Sequence, residues 1–510
     1  MKTNKIFIVA IASFLLTSCG NSNEIKVSIS TTKTDEIRLI KPDDVTISET
    51  YYSLESKMLN NTQVLPNEGD INLLIVPVII PAYETIDLNG DGIDEKDKVR
   101  SDIETAFFGD TNLTDQSVAS FYKTSSFKKV NIKGTVTDWF SITEDSDLNI
   151  THGAQIEADV TLDIADAVIE WARNVQGLDL TEYDNDKDGY IDGLWMIYSA
   201  HNYYLGGPQT DTGNFFAYTS WGNTDISISS PDAENPIYNL FGWASYDFMY
   251  ENAKAKTIDA STYIHEMGHF FGLNDYYTEN FSYNPVGKSD LMDGNNIDLN
   301  SYSKMLIGWS KPYIVTGNAE ISLKSLQNLN NFIVIPADDT EIINGKFDPF
   351  SEYLLIEYYT NEGLNNYGSL NSVAGAPLAP QDSGIKIYHI DNRKFIASTE
   401  DPYKISCVEY DGQEINEFNR IVLPITNNRN PDIYNYLYNL DANYNLFDEI
   451  RLIEAENVDT FSNGGYQKNK TLFKNGDSFS MEEFGPTFFV NNKLNNGKEF
   501  SYIINIGGNK

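Results

Sequence analysis

Cysteine is nearly missing from this chain: of 510 residues only Cys19 and Cys407 carry a thiol. With Cys19 consumed in N-terminal processing, as argued below, one thiol remains and no disulfide can form within the mature chain. Cys407 then reads as a small buried hydrophobe with no chemistry assigned to it. Positive charge is the second shortage. Lysine and arginine number 36 against 74 acidic residues, a formal charge of −38 with no basic cluster, which excludes nucleic acid as a partner. The apolar run Ile6 to Leu16 is too short for a permanent membrane span, which needs roughly 20 residues. No internal repeat of fixed period is visible. Histidine is scarce too, five in all, so two of them at helical spacing carry information.

What is present suffices for a folded protein of several domains. A chain this long exceeds one ordinary hydrophobic core, and 41% hydrophobic residues can fill two or three. The N-terminus reads as an export signal: Met1 to Lys5 is a short basic region, Ile6 to Leu16 an apolar core, and Leu16-Thr17-Ser18-Cys19-Gly20 follows. Cleavage before Cys19 would leave its thiol for diacylglycerol and its amine for a third acyl chain, an anchor much firmer than a single chain. Residues 1–18 are thus expected to be a lipoprotein signal peptide. Membrane contact is expected through this anchor alone, and Gly20 after the acylated residue favours an outer-membrane or cell-surface location. Residues 19–69, rich in Ser, Thr, Asn, Lys and Glu, suit a tether, or failing that a short ordered pro-region.

Within Thr262 to Asp275 the chain reads His-Glu-x-x-His-x-x-Gly-x-x-Asp. Four residues make about one turn of α-helix, so His265 and His269 project from one face and can hold one metal ion. Glu266, beside the first histidine, is placed to act as general base on a metal-activated water and then as acid to the leaving nitrogen. Gly272 can take the left-handed conformation that ends a helix, so the chain turns back and brings Asp275 in as third ligand, with the fourth position open. These features predict a catalytic Zn2+ site. Asp259 or Ser261 is expected to cap the helix, and Ile264, Gly268 and Phe271 form its apolar stripe. Downstream, Met292 in Asp290-Leu291-Met292-Asp293-Gly294 matches the methionine turn that metzincin-type proteases set beneath the metal.

On these motifs the chain resembles the M6 peptidases, the immune inhibitor A family of secreted bacterial metalloproteases. The resemblance takes in the helix with Asn274-Asp275-Tyr276-Tyr277, the Asp-Leu-Met turn and Lys304-Met305-Leu306-Ile307-Gly308-Trp309. It further includes Tyr122 to Phe127, Gly134 to Trp139, the acidic run at 184 to 192, Glu352 to Glu357 and Gly384 to Asp391. One departure is Tyr276, where many members carry Glu after the third-ligand position. Asp275 is then the evident carboxylate, with Glu279 and Asp290 as lesser substitutes. The resemblance implies a zinc endopeptidase acting on extracellular proteins or peptides. A cell-surface binding or adhesion protein with a vestigial zinc site, and hydrolysis of a non-peptide bond by the same metal chemistry, stand as alternatives.

Two loops read as Ca2+ sites. Asp184, Asp186, Asp188 and Asp192 stand at positions one, three, five and nine of an EF-type loop with Gly189 at six, completed by the Tyr190 carbonyl; Trp195 replaces the usual acid at twelve. Asp87, Asn89 and Asp91 begin a second such loop, with Lys98 at its twelfth position. Ile71 to Ile80 predicts a central strand, Gln155 to Val175 a helix ended by Gly177, and Leu194 to Ala200 another strand. Beyond Pro312 short alternating strands take over, with Asn361 to Ser383 a surface loop. The expected fold is therefore α+β: a zincin-like catalytic domain at 70–312, a twisted sheet backing the active-site helix, then an all-β domain at 313–510. His152, His201 and His389 are read as structural, although His201 could approach the cleft.

Overall fold

The computed structural model describes residues 27–28, 39–47, 63–149, 160–202, 215–222, 231–251, 257–278, 284–325, 331–337, 342, 346–373, 376–393, 395–398, 406–409, 419–422, 427, 448–456, 461, 464–480, 488–496 and 499–506. The signal peptide, Cys19, His152 and Glu279 lie outside them. Among the described residues no helix is long and apolar enough to cross a membrane.

Helices and several sheets make up the chain, an α+β protein. The first sheet contains β1 (Gly69–Ile79), β2 (Val130–Val136), β3 (Phe140–Ser141), β4 (Gly193–Tyr198), β5 (Tyr218–Trp221) and β6 (Leu240–Ser245). Its order is β2-β1-β4-β6-β5, with β3 also on β1; every pairing is parallel except that of the edge strand β5. A strand buried on both faces needs apolar residues at successive positions, and β1 supplies them. Ile71, Leu73 and Ile75 face one core; Leu74, Val76 and Val78 face another. The second core is closed by α3 (Val160–Asn174), whose stripe Ile164, Ala165, Val168 and Ala172 is buried. Gly177, at φ +69°, ends that stretch while the Leu178 N–H returns to the Ala172 carbonyl. The opposite face carries α1 (Lys96–Phe108), α2 (Val118–Ser125) and α4 (Ser261–Phe270).

The region after residue 312 is mainly strand. Tyr313–Val315, Phe332–Pro336, Glu352–Tyr359, Gly384–Asp391 and Ile450–Ile453 form one sheet, and Ala319–Lys324, Phe488–Asn496 and Glu499–Ile506 belong to another. Strictly all-β it is not, because Asn365–Leu370 in the expected surface loop is a short helix. Nor does the core break at 312: Leu355, Tyr388 and Ile450 share one cluster with Met292, Phe271 and Tyr263.

The tether reading of 19–69 needs correction for the part described. Leu39–Ile40 adds to Tyr313–Val315, Thr46–Ile47 pairs with Lys346–Phe347, and Val27–Ser28 pairs with Ala319–Lys324. Val45 and Leu65 are buried in the main core. Averaged composition hides these few apolar residues, yet each finds an apolar wall, and short edge additions satisfy the backbone around them.

Candidate metal centre

The three faces of α4 decide where its side chains go. Tyr263, Met267 and Phe270 recur at four and three residues and lie on the sheet; burying each contributes about 1.5–3 kcal/mol. Phe270 stacks on Trp195 at 5.2 Å, and the Tyr263 hydroxyl donates to the Ser245 carbonyl at 2.7 Å. Trp195 is thus core and no cation ligand. The second face, Ile264, Gly268 and Phe271, meets Tyr122, Trp309 and Met292. The Tyr122 hydroxyl donates to the Ile264 carbonyl at 2.7 Å, and Phe271 packs on Trp309 at 5.1 Å. His265 and His269 are left on the third face. Ala260, not Asp259 or Ser261, occupies the N-cap; Asp259 Oδ1 accepts the Ser261 N–H at 2.9 Å from one position earlier.

At the other end Gly272 adopts φ +88°, and Leu273 N–H returns to the Gly268 carbonyl. Any residue with a Cβ would be strained there. The chain reverses and carries Asp275 back: its Oδ1 lies 2.9 Å from His265 Nε2 and 3.4 Å from His269 Nε2. The opposite ring nitrogens are committed elsewhere. His265 Nδ1 faces the Leu291 carbonyl at 3.0 Å and His269 Nδ1 the Leu273 carbonyl at 2.7 Å. A carbonyl can only accept, so each Nδ1 carries a hydrogen, and the Nε2 atoms that face Asp275 either share a proton with it or, in a neutral ring, turn a lone pair toward it. Two imidazole nitrogens and a carboxylate oxygen converging within 4.8 Å need a proton or a metal cation between them. The donor set, two imidazoles and one carboxylate with backbone partners behind the rings, fits a zinc ion.

Electrostatics tell the same story. Burial alone lowers the pKa of His269, but Asp275 outweighs it and raises the imidazolium to about 10; His265 moves up by the same balance. Burial works against the Asp275 carboxylate, yet the two imidazoles hold it well below the usual range. Glu266, 7% exposed, is pushed up by burial, with the two histidines pulling the other way. The Thr219 hydroxyl on β5 donates to the Glu266 carbonyl at 3.0 Å and fixes this turn against the edge strand.

Met292 lies fully buried against Gly268, between the two histidines in sequence. A Cβ on Gly268 would overlap Met292 Sδ. Gly268→Ala is therefore expected to cost about 1–3 kcal/mol through overpacking and to lower metal affinity, read by thermal unfolding and zinc content. An unchanged midpoint and full zinc would show that Met292 does not floor the site. The methionine turn also ties the ligands together: the Leu291 carbonyl holds His265, and the Met292 carbonyl accepts the Tyr276 N–H at 2.8 Å. Asp290, weighed above as a substitute ligand, has another task. Its oxygens accept the N–H groups of Met292 and Asn300, both at 2.7 Å, and the Ser303 hydroxyl at 3.0 Å. Tyr276, which follows Asp275 in the chain, is buried with its hydroxyl 2.9 Å from Ser303 Oγ.

Sequence reasoning missed the braces that come from far along the chain. Asn427 Nδ2 donates to the Tyr276 carbonyl at 3.0 Å, and the buried Glu449 accepts from Tyr302 and Asn274. Neither residue has a local pattern that would announce it. His389 pairs with Glu352 at 2.9 Å inside its strand. His201 pairs with Asp247 at 3.0 Å beyond the end of β4, in a cleft of about 780 Å³ that no residue of the metal centre lines.

Of the acidic loops, the first brings Asp184, Asp186 and Asp188 together within 4.8 Å. Asp192 turns away, taking the Asn72 N–H at 2.9 Å and the Asn185 amide, so it is not part of that cluster. Burial raises the Asp188 carboxyl to about 6, with the neighbouring acids adding. In the second loop Asp87 accepts the N–H groups of Asn89, Asp91 and Gly92, Asn89 donates to Glu95, and Lys98 pairs with Asp102. Asp87 and Asp91 belong to no cluster of three acidic or histidine donors among the described residues. Comparison with protein-family models finds no match for this chain, and comparison with curated proteins finds none either.

Proposed function

We propose that this chain is an exported, lipid-anchored zinc endopeptidase of the M6 type, with a zincin-like catalytic domain, that cleaves extracellular proteins or peptides. The observation that carries the reading is the convergence of His265 Nε2, His269 Nε2 and Asp275 Oδ1, with both Nδ1 atoms on carbonyls and a buried glutamate one residue away. A zinc ion bound there would supply a Lewis acid for the scissile carbonyl and a water with a pKa of about 7. Glu266 accepts the proton of the attacking water and delivers it to the departing amide nitrogen, so charge is balanced at every stage. Burial of Glu266 raises its proton affinity toward that task. Met292 and Asp290 hold the floor and the turn. Among the described residues β5 pairs only with β6, and a sheet edge beside the reacting carboxylate lets an extended peptide add main-chain hydrogen bonds. The test is cleavage of a denatured protein by wild type and Glu266→Gln, with and without a chelator, followed by mapping of the cut sites.

The Asp184, Asp186 and Asp188 cluster is proposed to hold Ca2+. A carboxylate whose folded pKa is raised costs stability as pH climbs from about 4 through about 6, and a bound cation removes that cost. Calcium should therefore raise the unfolding midpoint more at pH 7 than at pH 5, and Asp186→Asn should reduce this response. A calcium response equal at both pH values, or unaffected by the substitution, would count against the site.

A further inference from the structure

We propose that a second, unassigned Ca2+ site lies between Asp115 and Asp259 at the start of the helix that carries the two histidines. The two segments are pinned side by side before any ligand arrives. Thr114 N–H donates to the Ile258 carbonyl and Ile258 N–H to the Asn112 carbonyl, both at 2.8 Å, with Leu113 and Ile258 in a parallel bridge. Asp115 and Asp259 both line a cavity of about 20 Å³. One water needs roughly 10–15 Å³, so this space takes a single ion or water and no organic group.

Asp259 is 4% exposed, and while its Oδ1 is spent on the Ser261 N–H, its Oδ2 is buried and makes no hydrogen bond among the described residues. An unsatisfied buried acceptor is destabilising, and more so when it is charged. No lysine, arginine or histidine lines the cavity to offset the two acids. Burial raises the Asp115 carboxyl, a hydrogen bond from Gln116 pulls it partly back, and the charge of Asp259 adds to the rise. Of the other polar residues in the wall, Thr114 pairs its hydroxyl with Thr257 and Gln116 accepts the Ser120 hydroxyl on its Oε1, and none brings sulfur or imidazole, so the two carboxylates set the preference, which is for a hard cation. Ca2+ tolerates this irregular set, whereas Mg2+ demands near-octahedral geometry and dehydrates reluctantly.

Such an ion would couple to the metal centre. Leu291 lines the same cavity, and its carbonyl orients His265; Asp259 stands six residues before His265 on the same run of chain. Bound Ca2+ would clamp the helix start, the 112–116 segment and the methionine turn as one unit.

The test is calorimetric titration of the full chain with Ca2+ alone, paired with thermal unfolding, for wild type, Asp115→Asn, Asp259→Asn and Asp186→Asn. Asp115→Asn and Asp259→Asn should each remove one equivalent of bound Ca2+, or weaken it at least tenfold, while Asp186→Asn removes a different one. The Asp115→Asn/Asp186→Asn double variant should lose both. Among the described residues no hydrogen bond joins Asp115 to the helix start, so its variant reports the site even if Asp259→Asn loosens α4. Wild-type stoichiometry and an unchanged calcium-dependent midpoint in Asp115→Asn would overturn the proposal. So would Asn variants that gain stability without calcium while losing no equivalent, which would identify a shared proton or a water instead.

Discussion

Glu266→Gln is expected to lower kcat/KM on a denatured protein by roughly 10²–10⁴-fold while zinc content and unfolding midpoint stay at wild-type values or rise slightly. The substitution keeps the shape of the side chain and removes its negative charge and with it the capacity to take up a proton. Glu266 is buried and its pKa is pushed up by that burial, so a neutral amide relieves a desolvation cost where the carboxylate bore one. His265, His269 and Asp275 do not depend on it for position. The histidines are set by the carbonyls of Leu291 and Leu273, and the aspartate by the turn at Gly272. Loss of activity with full metal therefore isolates proton transfer from metal binding. Two other results are equally informative. Cleavage that survives the substitution removes Glu266 as the base, and zinc near zero in both proteins favours the binding-protein alternative.

The centre of this site was legible in sequence because it is local. Helical spacing fixes His265 and His269 on one face, and a glycine that tolerates positive φ returns Asp275 to them within six residues. Met292 was legible for a weaker reason, its distance from the helix, and the close approach to Gly268 explains why a small residue stands between the histidines. What could not be read is whatever depends on backbone groups or distant chain. The carbonyls of Leu273 and Leu291 leave no trace in residue type, yet they choose the tautomer. Asn427 and Glu449 reach the third-ligand turn from across roughly 150 residues and more, and only the fold brings them there. The N-terminal segment was misjudged because composition averages over it, while burial acts on Val45 and Leu65 individually. Asp192 fits the spacing of a calcium loop, but an amide of Asn72 on the neighbouring strand competes for it and wins.

Asp275→Asn is expected to abolish zinc retention on dialysis and cleavage with it, since removing a direct anionic ligand should exceed the roughly 10–100-fold cost of losing an outer partner. Its second effect is on protons. In the metal-free protein Asp275 raises His269 from 6.5 to about 10 while its own pKa falls well below 3.8. A raised imidazolium contributes stability that is complete below pH 6.5 and is lost as pH rises toward 10; a depressed carboxylate contributes stability present above pH 3.8 and lost in more acid solution. Without metal the cluster therefore stabilises most between roughly pH 4 and 6.5, and Asp275→Asn should flatten that maximum. Zinc needs neutral imidazoles, so its uptake by wild type at pH 7 must expel the proton that His269 holds. Calorimetry in buffers of different ionisation enthalpy counts that proton: one or more per zinc in wild type, and fewer in Asp275→Asn, whose histidines lose the charge that kept them protonated. Equal proton counts in the two proteins would mean that Asp275 does not sit between the imidazoles, and the third ligand would have to be sought elsewhere.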